Sequence, residues 1–155
     1  MTAQVADKLI YAGKEILLFS NPLTPYLASK NITFVSPHTA NWRGYVASWE
    51  ILEEAGVKKL YLVKLSAHRT YEDIVGLSDI FPDCDKVFAQ WFTGTLRCPQ
   101  GAELEYVHMG YASIYEYDLF MEFEDGILIK EYARQNQPPQ KKPESEYPPF
   151  LRRGK

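Results

Sequence analysis

The chain has 155 residues, 46% of them hydrophobic, and a net charge of −3, which suits one domain with a real core. Residues 141–155 carry five basic and two acidic side chains, leaving 12 basic against 18 acidic in residues 1–140. An acidic body of that kind argues against sequence-independent duplex binding, which rests on neutralising phosphates. The longest aliphatic-aromatic run, Ile16 to Phe19, is far too short to span a bilayer, so no membrane role is expected.

Elements follow in chain order. The opening "MTAQVADKL" has no basic start followed by an apolar stretch, so no secretory signal is expected and a cytoplasmic location is assigned. "KLIYAGKEILLF" reads as a hairpin around Gly13-Lys14. "PLTPYLASK" predicts a turn of helix from Pro25, a residue suited to a first helical position. In "YVASWEILEEAGVKKLYLVKL", Tyr45, Ala47, Trp49 and Ile51 alternate with Val46, Ser48 and Glu50. That is the period of a strand with one buried face, and a second strand should follow a turn within Glu53 to Lys58. "RTYEDIVGLSDIFP" predicts a short helix capped by Thr70, with Asp73 at its third position. "VFAQWFTGTLRC" reads as one strand with Gly94 at a bulge or a close approach, and "PQGAE" as a turn.

The stretch from Tyr106 to Phe123, "YVHMGYASIYEYDLFMEF", ends in a strand. Its parity places Tyr115, Tyr117, Leu119, Met121 and Phe123 on the buried face and Glu116, Asp118, Glu122 and Glu124 on a solvated one. "FEDGILI" predicts a tight turn at Asp125-Gly126. From Gln135 the composition changes to one rich in proline, with five of the chain's ten. A compositional boundary therefore separates a single β-rich domain, residues 1–134, from a flexible Pro-rich tail, residues 135–155. Short strands spaced by turn residues predict a mainly β fold, a small antiparallel barrel or strongly curved sheet with one or two short helices; two stacked sheets are the alternative.

Two stretches could carry chemistry. "SPHTANWRGYV" offers Arg43, a fork of donors suited to carboxylate or phosphate, and Trp42, a flat apolar face. The bland alternative is a tryptophan plug with Arg43 as a lid. "HMGYAS" interrupts the strand alternation and would present His108 and Tyr111 beside a rigid sheet. Trp91 in "QWFTGTL" stands next to another glycine break. Catalytic templates such as GxSxG, GxxxxGK[ST], HExxH and GxGxxG are missing. The cysteines, Cys84 and Cys98, match no zinc or redox spacing and read as a reduced pair. No cofactor and no metal site is expected.

"WRGYVASWEI", "WFTGTL" and "YVHMGY" resemble segments of small bacterial proteins described only as uncharacterised. The resemblance covers about Lys8 to Glu131 and implies an independent bacterial domain, with no activity or ligand. The residues themselves yield two functional readings. One is a pocket lined by Trp42, Arg43, Trp91, His108 and Tyr111, taking a small anionic or nucleotide-like ligand. The other is a protein-interaction module, toxin-neutralising or regulatory, that meets a protein partner through an acidic sheet face or the tail.

Overall fold

A computed structural model describes residues 4–105, 111 and 113–136. Its elements are β1 (Asp7–Tyr11), β2 (Lys14–Leu18), α1 (Thr24–Ser29), β3 (Tyr45–Glu54), β4 (Val57–His68), β5 (Ile74–Gly76), α2 (Leu77–Ile80), β6 (Val87–Phe88), β7 (Gly94–Glu105), β8 (Ile114–Glu124) and β9 (Ile127–Gln135). All strands belong to one mixed sheet ordered β2-β1-β3-β4-β9-β8-β7, with β5 and β6 also paired to β4. The mainly β expectation therefore holds, as a single strongly curved sheet. The curve carries the two ends of that order together. There the Phe19 N–H donates to the Arg97 carbonyl at 2.7 Å and the Arg97 N–H to the Ser20 hydroxyl at 3.1 Å, without a ladder between β2 and β7 among the described residues.

The expectation of a wholly antiparallel sheet needs one correction, because β1 and β3 run parallel, Leu9 beside Trp49. The chain leaves β2 through α1 and a long connection before re-entering the sheet beside β1, and a crossover of that kind sets strands parallel.

Three hairpins hold the frame. Each turns on an X-Gly pair with both residues at positive φ: Ala12-Gly13, Ala55-Gly56 and Asp125-Gly126. This is the twist-matched turn that two-residue hairpins favour. The Asp125-Gly126 turn lies where the sequence puts it, whereas the first turn falls one residue earlier than Gly13-Lys14. At Gly126 the requirement is steric as well, since a Cβ would lie 2.5 Å from the Ala89 carbonyl oxygen.

The inward face follows the two-residue period. Leu9 on β1, Tyr45, Ala47, Trp49 and Ile51 on β3, Leu60 and Leu62 on β4, Leu96 and Cys98 on β7, and Met121 and Phe123 on β8 are all buried. A bulge at Ser48/Trp49 shifts the β3–β4 register without breaking that face. At one end of the sheet the Tyr11 hydroxyl donates to Glu131 at 2.6 Å and accepts from the Lys58 ammonium at 2.8 Å, tying β1 to β9. Burial, then Glu131, pushes the Tyr11 phenol above its ordinary range.

Three local expectations change. "VFAQWFTGTLRC" splits into β6 and β7, with a turn between them. "PQGAE" is not a turn, because β7 runs through it and absorbs Gly101 at φ 81° as a register shift between Gln100 and Glu103. Thr70 does accept the Asp73 N–H at 3.0 Å, but it closes a turn rather than a helix. The helix starts at Leu77, where the Asp79 carboxylate accepts the Gly76 N–H at 2.8 Å.

The buried-face assignment on β8 is also corrected. Tyr117 is 42% exposed and Asp118 only 2%, since Asp118 has partners that make its burial tolerable. β9 extends to Gln135, and the Asn136 side chain donates to the Tyr115 carbonyl and to Asp118, both at 2.9 Å. The rest of the expected tail, and His108, lie outside the described residues. No described helix is long and apolar enough to cross a membrane.

Candidate functional site

Asp7 is the first residue of β1, and its parity with Leu9 turns its side chain inward. It is fully buried. The parallel β1–β3 pairing sets it beside Ala47 and Trp49, whose amide and indole N–H groups donate to it at 2.9 and 3.1 Å. Its third donor is Arg43 Nη2 at 2.7 Å, from a side chain only 10% exposed. Burial pushes the Asp7 carboxyl up, and the Arg43 charge leads the opposing pull.

This geometry leaves Arg43 half used. Nε and Nη1, which carry three of its five N–H groups, are closed off from solvent without a partner at good hydrogen-bond geometry, and the Tyr111 hydroxyl lies beside the guanidinium and interacts with it. The guanidinium carbon lies 5.0 Å from the centre of the Tyr45 ring. The Tyr45 hydroxyl shares a 2.7 Å hydrogen bond with the Thr24 hydroxyl at the start of α1, and burial holds the Tyr45 phenol far above its ordinary range.

A cleft of about 320 Å³ opens against this group. Its walls are mostly apolar: Leu27 and Ala28 from α1, Ile32 and Phe34 from the segment after it, and the Arg43–Tyr45 stretch. The local sequence explains the walls. Pro25 opens α1 and Asn31 at φ 55° ends it, in the left-handed conformation that asparagine tolerates. The chain then returns over Gly44, where a Cβ would meet the Val35 oxygen at 2.6 Å and Phe34 Cβ at 2.7 Å. Gly44 is thus a point where the protein's own backbone approaches closely.

Of the five residues singled out in the sequence, Arg43 and Tyr111 come together. The Tyr111 hydroxyl donates to Asn21 Oδ1 at 2.6 Å and its ring stacks on Phe19 at 5.2 Å. Burial pushes its phenol to about 12, with the nearby Arg43 charge opposing. Trp91 sits elsewhere, donating its indole N–H to the Pro22 carbonyl at 2.8 Å and packing on Tyr26, Phe81 and Trp49. Trp42 is 46% exposed, and its backbone N–H is held by the Gln4 side chain at 2.8 Å. Neither tryptophan lines the cleft.

Asp7 escaped the sequence reading although it carried a signal, a lone carboxylate in phase with Leu9 and Tyr11. Thr24 carried none.

A second buried carboxylate, Asp118, does different work. It accepts from Arg97 Nε at 3.0 Å, while Arg97 Nη1 and Nη2 donate to the carbonyls of Tyr111 and Ser113 at 2.9 and 3.2 Å. Every nitrogen of that guanidinium is engaged, so it clamps the entry to β8. The carboxylates of β8 do not form the uniform acidic face expected. Asp118 is buried, and Glu122 pairs with Lys130 at 3.9 Å. No protein-family model, curated protein or solved structure matches this chain.

Proposed function

We propose that this protein is a small-ligand-binding domain whose site is the cleft between α1 and Arg43, and whose ligand is a small anion. The observation that carries the reading is an apolar cleft with the Arg43 side chain, held by Asp7, in its wall. Asp7 supports the same reading, because by holding Nη2 it fixes the plane of the guanidinium. A side chain held in place loses little freedom when it binds.

The test has two parts. Native mass spectrometry of gently purified protein should show a retained small molecule above the 17.9 kDa chain, and small anions should raise the melting temperature. Ligand at a hundred times its Kd adds about 2.7 kcal/mol, or roughly 5–10 °C for a domain of this size. A clean apo mass, with no anion in a broad panel shifting the melt, would overturn the reading.

A further inference from the structure

We infer that the outer edge of β9 is a self-association surface, on which a second copy of this chain adds its own β9 antiparallel about a two-fold axis through Ala133.

β9 has one strand neighbour for most of its length. β8 pairs with it from Tyr117 beside Gln135 to Glu124 beside Ile127, whereas β4 meets it only at Lys59 beside Ile127. The Asn136 N–H donates to the Glu116 carbonyl at 2.8 Å, so these two residues form a hydrogen-bonded pair. In an antiparallel ladder such pairs alternate with pairs that exchange no bonds. Lys130, Tyr132 and Arg134 therefore turn their backbone groups to β8, and Glu131, Ala133 and Gln135 turn theirs away. The same alternation carried across β8 turns the Arg97 backbone away from it, and there Arg97 meets Phe19 and Ser20.

Ile129 to Gln135 are all exposed, and no described strand pairs with the outward groups of Glu131, Ala133 and Gln135. The stretch holds no glycine or proline, and its register on β8 is unbroken from Lys130 to Gln135. Such an edge is a template for another strand.

The side chains select which strand. Identical edges meet about a two-fold axis, and cross-strand partners share a face, so the axis passes through one residue and its copy. An axis through Lys130, Glu131 or Arg134 sets a charge against its own copy, and one through Tyr132 sets Lys130 against Arg134. Like charges directly opposite are destabilising. An axis through Gln135 pairs only Arg134 to Asn136 among the described residues. The axis through Ala133 avoids all of this. It sets Glu131 against Gln135, Tyr132 against Arg134 and Lys130 against Asn136. The outward residues then face one another, and each pair exchanges both of its backbone hydrogen bonds. Glu131 takes the Tyr11 hydroxyl on Oε2, leaving Oε1 to the Gln135 amide of the second copy. Tyr132, 42% exposed, gains a guanidinium across its ring. Charges that guard this edge against other strands thus leave one register open to a second copy.

Sedimentation velocity of the full chain from about 10 µM to about 1 mM tests this. So short an edge buries little surface, and a weak, concentration-dependent dimer of the 17.9 kDa chain is expected. Ala133→Pro removes an outward N–H and leaves the β8 ladder whole, a change that edge strands tolerate. It should weaken the dimer by about tenfold or more. Gln135 provides a test of sign on an exposed side chain. Gln135→Glu should weaken the dimer by about three- to tenfold, because it faces Glu131 of the second copy, and Gln135→Lys should tighten it by a similar factor. With Cys84→Ser removing the exposed native thiol, Ala133→Cys should cross-link to its copy on oxidation, and Lys130→Cys should not. A chain that stays monomeric throughout, whatever else its edge binds, would overturn the inference, as would a dimer that survives Ala133→Pro. Gln135 variants that shift the dimer in one direction, or cross-linking through Lys130→Cys instead, would overturn the register.

Discussion

Removing both partners of the Asp7–Arg43 pair should cost clearly less than the sum of removing each alone. Asp7→Ala strands a guanidinium that is 10% exposed and takes the acceptor from the Ala47 amide and the Trp49 indole. Breaking a buried pair from one side costs about 3–5 kcal/mol. That is a large part of the 5–15 kcal/mol typical of a domain. Arg43→Met keeps the aliphatic stem over Tyr45 and leaves Asp7 with two neutral donors, at a cost of about 2–4 kcal/mol. In the double variant no buried charge is left alone. Its loss should fall short of the sum of the single losses by about 2–3 kcal/mol, the upper range for directly bonded neighbours. Urea denaturation of the four proteins, followed by tryptophan fluorescence, measures this if the m-values agree. A coupling below about 0.5 kcal/mol, the scatter of independent sites, would refute the reasoning. It would mean that solvent already screens the pair.

Two further outcomes follow from the same interior. Gly13 and Gly126 have nearly equal φ, 78° and 79°, but a Cβ at Gly13 meets nothing within 4 Å while one at Gly126 meets the Ala89 oxygen at 2.5 Å. Gly13→Ala should therefore cost only the backbone strain of about 1–2 kcal/mol, and Gly126→Ala clearly more by thermal melting; equal costs would sink the packing argument. Burial pushes the Cys98 thiol from 9.0 up to about 12, and Tyr111 rises from 10.0 to about 12. Both folded values lie above the unfolded ones, so their stabilisation is whole below about pH 9 and is lost as pH rises towards 12. Unfolding free energies should fall across that window, with a shallower slope in Cys98→Ala, and an identical slope in that variant would contradict the burial of the thiol.

The strands, the turns and most of the inward face could be read from the sequence because they are local. Tyr45 to Ile51 alternate whatever lies beside them, and Asp125-Gly126 carries its turn geometry in its own backbone preferences. The sequence reading failed where a partner from far along the chain decided. Asp118 had the parity of a solvated carboxylate, but Arg97 and Asn136 made its burial tolerable, and neither partner is visible from within β8. Arg43 was noticed for its chemistry alone. That it is buried and fixed by a carboxylate 36 positions earlier depends on β1 lying parallel to β3. That pairing is a product of the crossover through α1, and local periodicity holds no information about it. The cleft has the same origin. Its walls come from α1, from the segment folded over Gly44 and from the start of β3, so no single stretch of sequence contains it.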